Sequence, residues 1–131
     1  IYDVGCGTGR TSFWFHYLTN SHVLGVDRVQ PFIDKANRVK KMAHTEKVSF
    51  SSEDFLKMDY SKATVIYFYG TSFSDKMIRE LVGVWASLKP GTRLITTSYP
   101  LSDYDPSFVV KKSFECSYPW GKCELFLQEK R

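Results

Sequence analysis

The first nine residues, Ile1-Tyr2-Asp3-Val4-Gly5-Cys6-Gly7-Thr8-Gly9, constrain this chain more than any other stretch. Ile1 to Val4 is apolar with β-branched and aromatic character, and reads as the end of a strand. Three glycines at alternate positions then interrupt regular structure. Arg10 to Leu18 reads as a helix. Glycine admits positive φ and lets a ligand approach without meeting a Cβ. The helix N-terminus behind the turn offers N–H groups and a partial positive charge. Such a turn suits a nucleotide-like ligand. The third glycine comes one residue earlier than in the dinucleotide fingerprint G-x-G-x-x-G. Asp3 stands two residues before the first glycine. A carboxylate beside the loop is a poor companion for a pyrophosphate and a good one for a cationic amino group.

The rest of the chain alternates strand and helix. Phe13, Trp14, Tyr17 and Leu18 have the spacing of a stripe buried against a sheet. His22 to Asp27 is a nearly continuous apolar run, as expected of a parallel strand covered on both faces. Asp27 ends it, about 20 residues beyond Gly7, the offset at which a carboxylate meets ribose hydroxyls. A helix or turn cap is the alternative for Asp27. Pro31 fits a first helical turn, and the amphipathic helix ends near His44-Thr45. Lys47 to Ser51 alternates as a third strand, followed by Glu53-Asp54-Phe55. Ala63 to Gly70 is the fourth strand. Ser74 is an N-cap for a helix with a broad apolar face, which Lys89-Pro90-Gly91 stops. Arg93 to Ser98 is a fifth strand. Tyr99 to Pro106 is the longest irregular stretch. Phe108 to Val110 and Phe114 to Tyr118 make a sixth strand, Pro119 to Lys122 a turn, and Cys123 to Leu127 a seventh. That turn is too short for a parallel crossover, so the last two strands are antiparallel.

Asp3-x-Gly5-x-Gly7-x-Gly9 resembles motif I of the class I, seven-β-strand, S-adenosylmethionine-dependent methyltransferases. Leu88-Lys89-Pro90-Gly91-Thr92-Arg93-Leu94 resembles that family's Leu-Lys-Pro-Gly-Gly-x-Leu step. The resemblance spans the whole chain. It implies an α/β fold with a doubly wound, mostly parallel seven-stranded sheet in the order 3-2-1-4-5-7-6, strand 7 antiparallel and helices on both faces. It implies S-adenosyl-L-methionine as cofactor, held by Asp3, Gly5, Cys6, Gly7 and Gly9 around its methionyl and ribose parts. Asp27 then meets the ribose, Arg28 packs on the adenine, Asp54 accepts the adenine amino group and Phe55 packs on the ring; Glu53 competes with Asp54. Tyr67 to Gly70 border the transferable methyl, which makes Tyr67 a cofactor neighbour and Tyr67 and Tyr69 candidates for the acceptor pocket. The alternative for these tyrosines is plain strand core and steric closure. The segment lacks the Asn/Asp-Pro-Pro-Tyr of enzymes that methylate base or amide nitrogen, and no catalytic base is evident. Ile95 to Tyr104, Pro119-Trp120 and the final strand are similar to small protein-lysine methyltransferases of the ATP synthase c-subunit type. The acceptor is therefore read as a protein lysine or similar amine. A small-metabolite methyltransferase and a cofactor-binding module without activity are the alternatives.

At 131 residues the chain is expected to be one methyltransferase domain. Its first strand is short, so residues upstream are expected to be missing. No apolar run approaches the ~20 residues of a membrane span, and Cys6, Cys116 and Cys123 form no disulfide framework, which points to a reducing cytoplasm. His16, His22 and His44 are scattered, so no metal is expected. A net charge of +4 concentrates around Lys35, Arg38, Lys40, Lys41 and Lys47. Acidic residues are interleaved, which favours a solvated helix face over a nucleic-acid surface.

Overall fold

The computed structural model describes residues 1–131. Its elements are β1 (Tyr2–Val4), α1 (Arg10–Thr19), β2 (Val23–Asp27), α2 (Gln30–Ala43), β3 (Val48–Ser52), β4 (Val65–Phe68), α3 (Asp75–Trp85), β5 (Arg93–Thr97), β6 (Phe108–Tyr118) and β7 (Gly121–Lys130), with three short 3-10 turns. The strands form a seven-stranded sheet in the order β3-β2-β1-β4-β5-β7-β6. β1 to β5 run parallel where their registers are defined, and β7 is antiparallel to both β5 and β6. This is the expected topology, with flanking helices. The chain divides into two compact units, Ile1–Met58 and Asp59–Arg131.

In the first unit the core gathers Val4, Val23, Val26, Ile33, Ala36, Val48 and Phe55. α2 follows its pattern: Pro31 lies in the first turn, Ile33 and Ala36 point inward, and the helix closes on His44 in the left-handed region. α1 departs from expectation. Trp14, Tyr17 and Leu18 are 54%, 79% and 71% exposed, and the one fully buried residue of the helix is Ser12. Ser12 fixes the helix's rotation by bonding to Asp3 from its hydroxyl at 2.6 Å. It also packs where a Cβ on Gly25 would lie 2.7 Å from its Oγ. With Ser12 inward, a period of 3.6 turns Trp14, Tyr17 and Leu18 outward. Phe13 alone of the stripe finds a ring partner in the sheet, Phe50, with centroids 5.3 Å apart. An apolar groove of about 680 Å³ remains, lined by Trp14, Tyr17 and Val39 among others.

In the second unit Ile66, Phe68, Ile78, Leu81, Trp85, Leu94, Leu101 and Phe108 form the core. Ser74 caps α3, its Oγ accepting from Met77 N at 3.3 Å. Phe68 packs edge-on against Trp85, centroids 5.5 Å apart. β6 is a single strand with a bulge between Val110 and Lys112, where two pieces were expected. The stretch after β5 is tied down rather than free. Leu101 is fully buried, and its N–H donates to the side chain of buried Gln128 at 2.6 Å.

Candidate cofactor site and acceptor wall

The glycine turn is built by backbone bonds to the end of β2. Gly5 N and Cys6 N both donate to Val26 O, at 2.8 and 3.0 Å, and Gly9 N returns to Cys6 O at 2.9 Å. Gly7 and Gly9 then serve different ends. Gly9 has φ +82, and a Cβ there would lie 2.5 Å from the Phe50 ring, so it is glycine for both conformation and packing. Gly7 has φ +54, and a Cβ on it would meet nothing within 4 Å, so it faces open room.

Asp27 joins two turns. Its Oδ2 accepts from Gly7 N and its Oδ1 from Val29 N, both at 2.9 Å. The cap alternative is thus a real part of its role. Each carboxylate oxygen still has a lone pair for a further donor. Asp3 is 1% exposed. It accepts from the hydroxyl of Ser12, in the first turn of α1. Burial, together with the charge of Asp27, raises its pKa to about 6 against the Ser12 bonds. Cys6 is buried, and its thiol is pushed above its ordinary range by that burial and by Asp3 and Asp27. It stays protonated and is no nucleophile.

Arg28 pairs with Asp54, and its guanidinium lies 5.7 Å from the centre of the Phe55 ring. Asp54 also caps the turn Phe55–Lys57, accepting from Leu56 N at 3.1 Å. The Arg28 bond, then the Leu56 N–H, hold its carboxyl below the usual carboxylate range. Phe55 is 3% exposed and belongs to the core. Glu53 is turned to Ser51 instead.

Within the second unit Tyr67 and Tyr69 are half-buried while Phe68 is core, the alternation of a strand. Burial raises the Tyr118 pKa, and the Tyr67 side chain works against that rise. Tyr69 Oη accepts from Trp120 Nε1 at 2.7 Å. Ser12, Gln128, Tyr118 and Trp120 were not singled out as site or core residues from sequence. Ser12 could have been found as a hydroxyl in the first turn behind a buried acid. The others depend on pairing across the sheet, which no local pattern gives. No group of three or more His, Cys, Asp or Glu side chains is placed to hold a metal ion. No helix is long and apolar enough to cross a membrane.

The cofactor that the fold family implies can be tested against this loop. The side chains that face the turn are acids, Asp3 and Asp27, which repel one another. A pyrophosphate does not fit that charge. A ligand carrying an ammonium and a sulfonium does, and Gly7 leaves it room.

Topology and glycine turn together define a class I methyltransferase. Residues 3–108 match the family model described as the ANTKMT methyltransferase domain, and the chain belongs to that family. It is 27% identical to a protein-lysine N-methyltransferase of Saccharolobus islandicus, over 85% of this chain and 69% of that protein. It is 29% identical to a sterol 24-C-methyltransferase of Kluyveromyces lactis, over 80% of this chain and only 30% of that enzyme. Among solved structures, an RNA methyltransferase from Salinibacter ruber in complex with S-adenosyl-L-homocysteine superposes with a TM-score of 0.81 at 20% identity, over 98% of this chain and 78% of that one. At that identity the likeness is one of fold. The chain is an S-adenosylmethionine-dependent methyltransferase by family and fold.

Proposed function

We propose that residues 1–131 act as one domain that binds S-adenosylmethionine on the glycine turn and transfers its methyl group to an amine, a protein lysine first of all. The observation that carries the cofactor reading is the pair of acids at a turn with open room beside Gly7. When bound, the cofactor supplies an electrophilic methyl group. Asp3 offers a buried negative charge to its ammonium. Gly5, Cys6, Gly7 and Gly9 give it a backbone surface, and Asp27 offers its spare lone pairs to the ribose hydroxyls. Asp54, with Arg28 and Phe55 beside it, takes the adenine end once Arg28 yields one of its bonds. Tyr67 and Tyr69 stand at the C-terminal end of β4, where open α/β sheets bind ligands. There they line the acceptor and keep water from it. An amine acceptor needs only to lose a proton to water before attack, so alignment and a dry site are the chief contributions of the protein.

Lysine is favoured by the likeness to the Saccharolobus islandicus lysine enzyme. The likeness to a sterol enzyme favours a small-metabolite acceptor as the second reading. All three cysteines are free, which suits a reducing, cytoplasmic setting. The deciding experiment is calorimetric titration of wild type and Asp27→Ala with S-adenosylmethionine, S-adenosylhomocysteine and NAD. Binding of the first two, lost in the variant, is expected. Binding of NAD alone overturns the assignment. Radiolabelled methyl transfer into protein extract against a small-metabolite pool then separates the two acceptor readings.

A further inference from the structure

Three aromatic side chains of the second unit stand together without joining its core. Tyr118 and Trp120 are stacked, with centroids 5.2 Å apart and planes 9° apart. Tyr69 meets Tyr118 at 5.6 Å and 56°. The indole N–H of Trp120 reaches Tyr69 Oη across 51 residues of sequence. This bond and the ring contacts hold rings from a strand end and a two-residue hairpin turn in fixed orientation. Trp120 is nonetheless 55% exposed, and Tyr69 and Tyr118 are only half-buried.

Charge distinguishes this cluster from the other rings of the chain. Arg28 lies over Phe55, Arg79 over Tyr104, Lys112 over Phe114 and Lys130 over Phe108. No Lys or Arg of this chain covers Tyr69, Tyr118 or Trp120. The ion pairs on the same hairpin, Glu115 with Lys122 at 2.6 Å and Lys111 with Glu129 at 3.5 Å, are each closed on themselves. The cluster therefore offers electron-rich faces and hydroxyls with no cation of its own and no carboxylate. Such a surface suits a weakly hydrated organic cation over a metal ion or an anion.

We propose that Tyr69, Tyr118 and Trp120 recognise the alkylammonium head group of the acceptor, so that the β6–β7 turn is a specificity determinant of the transfer. The inference rests on the amine-acceptor reading above and adds the residues that select the amine. Tyr69 and Trp120 present faces to the cation. Tyr118, stacked beneath Trp120, fixes the indole plane.

The test uses two probes, Nα-acetyl-trimethyllysine methylamide and its neutral analogue with C(CH3)3 in place of N(CH3)3. Binding is followed by NMR on the indole N–H of Trp120, one of three tryptophans, identified by its loss in Trp120→Phe. Wild type is expected to bind the cation roughly fivefold or more tightly than the neutral analogue. Trp120→Leu is expected to abolish that preference, and Trp120→Phe, which keeps a ring in the turn, to retain part of it; S-adenosylmethionine affinity stays unchanged in both. Equal binding of the two probes to wild type overturns the inference, as does a preference that survives in Trp120→Leu. The amine reading fails separately. Lysine transfer without any cation preference overturns the inference and leaves lysine as acceptor. A preference that tracks Trp120, with no amine methylated, supports the site and removes amine transfer.

Discussion

At the glycine turn the polar groups are carboxylates held by backbone N–H groups, whereas at the β6–β7 turn they are neutral rings held by one another. Asp27 takes its donors from Gly7 and Val29, and Asp3 takes its own from Ser12. Trp120 takes its acceptor from Tyr69, and Tyr118 stacks on Trp120. The first arrangement carries an electrostatic cost, chiefly because Asp3 is buried and secondarily because of the charge of Asp27. The second involves no ionised group. The cations proposed for the two turns would be selected by different physics: at the first by carboxylate charge, at the second by the weaker attraction of ring faces, which depends on orientation.

The contrast can be broken most forcefully at Asp27. Asp27→Ala removes the acceptor for two backbone N–H groups together with the proposed ribose partner. Affinity for S-adenosylmethionine is expected to fall about 100-fold, two charge-assisted hydrogen bonds' worth, as read by calorimetry. Undiminished affinity would place the ribose elsewhere.

Asp3 is expected to give an effect of comparable size, on stability. Its folded pKa of about 6 lies above the unfolded value of 3.8. The native state therefore holds a proton that the unfolded chain has already lost. Stability from this group is full below about pH 4 and is lost as pH rises through 6, at a cost of about 3 kcal/mol by pH 7. Urea unfolding of the apo protein should show wild type losing stability between pH 4.5 and 7.5, and Asp3→Asn should flatten that slope. Asp54, Asp59, Asp75 and Asp105 have lowered values and act with opposite sign, below about pH 4. S-adenosylmethionine should raise the melting temperature more at pH 7.5 than at pH 5, since its ammonium pairs only with the ionised form. Equal shifts at the two pH values would take Asp3 out of cofactor binding.

Gly9→Ala meets the Phe50 ring and a left-handed backbone together, and is expected to cost about 2 kcal/mol in denaturant unfolding. Gly7→Ala meets only the backbone term of about 1 kcal/mol, but blocks the room beside the loop and should lower cofactor affinity disproportionately. If the two variants behave alike, the division of labour between these glycines is wrong. Smallest of all is the expected effect of Tyr67→Phe, which removes the hydroxyl that works against the raised Tyr118 pKa. Spectroscopic titration should find the Tyr118 pKa higher still.

Legibility in the sequence followed the range of the interaction. The glycine turn, the acid that ends β2 and the Ser74 cap are local patterns, and each forms locally. The Pro-Gly step does lead into β5, but it is not what stops α3, which already ends at Trp85. The stripe on α1 misled because periodicity gives the spacing of apolar residues but not the rotation of the helix. That rotation was set by Asp3 binding Ser12, nine positions away. The aromatic cluster was only half visible. Tyr67 and Tyr69 announce themselves at a strand end, but their partners lie across a hairpin whose register emerges only when β7 pairs with β5 and β6. Cys116 and Cys123 are register partners in that hairpin, both free and half-buried.

Gln128 gives that register a key. It is fully buried opposite Leu94, donates to Thr96 Oγ1 at 2.9 Å, and accepts from Leu101 N. A slip of one residue would swing its amide to the other side of the sheet. Leu101 N would then lose its acceptor and Thr96 Oγ1 one of its two partners, and Leu127 or Glu129 would stand opposite Leu94 instead. The side chain thus works as a proofreading tooth during assembly, penalising every wrong alignment of the one strand that inserts against the direction of its neighbours.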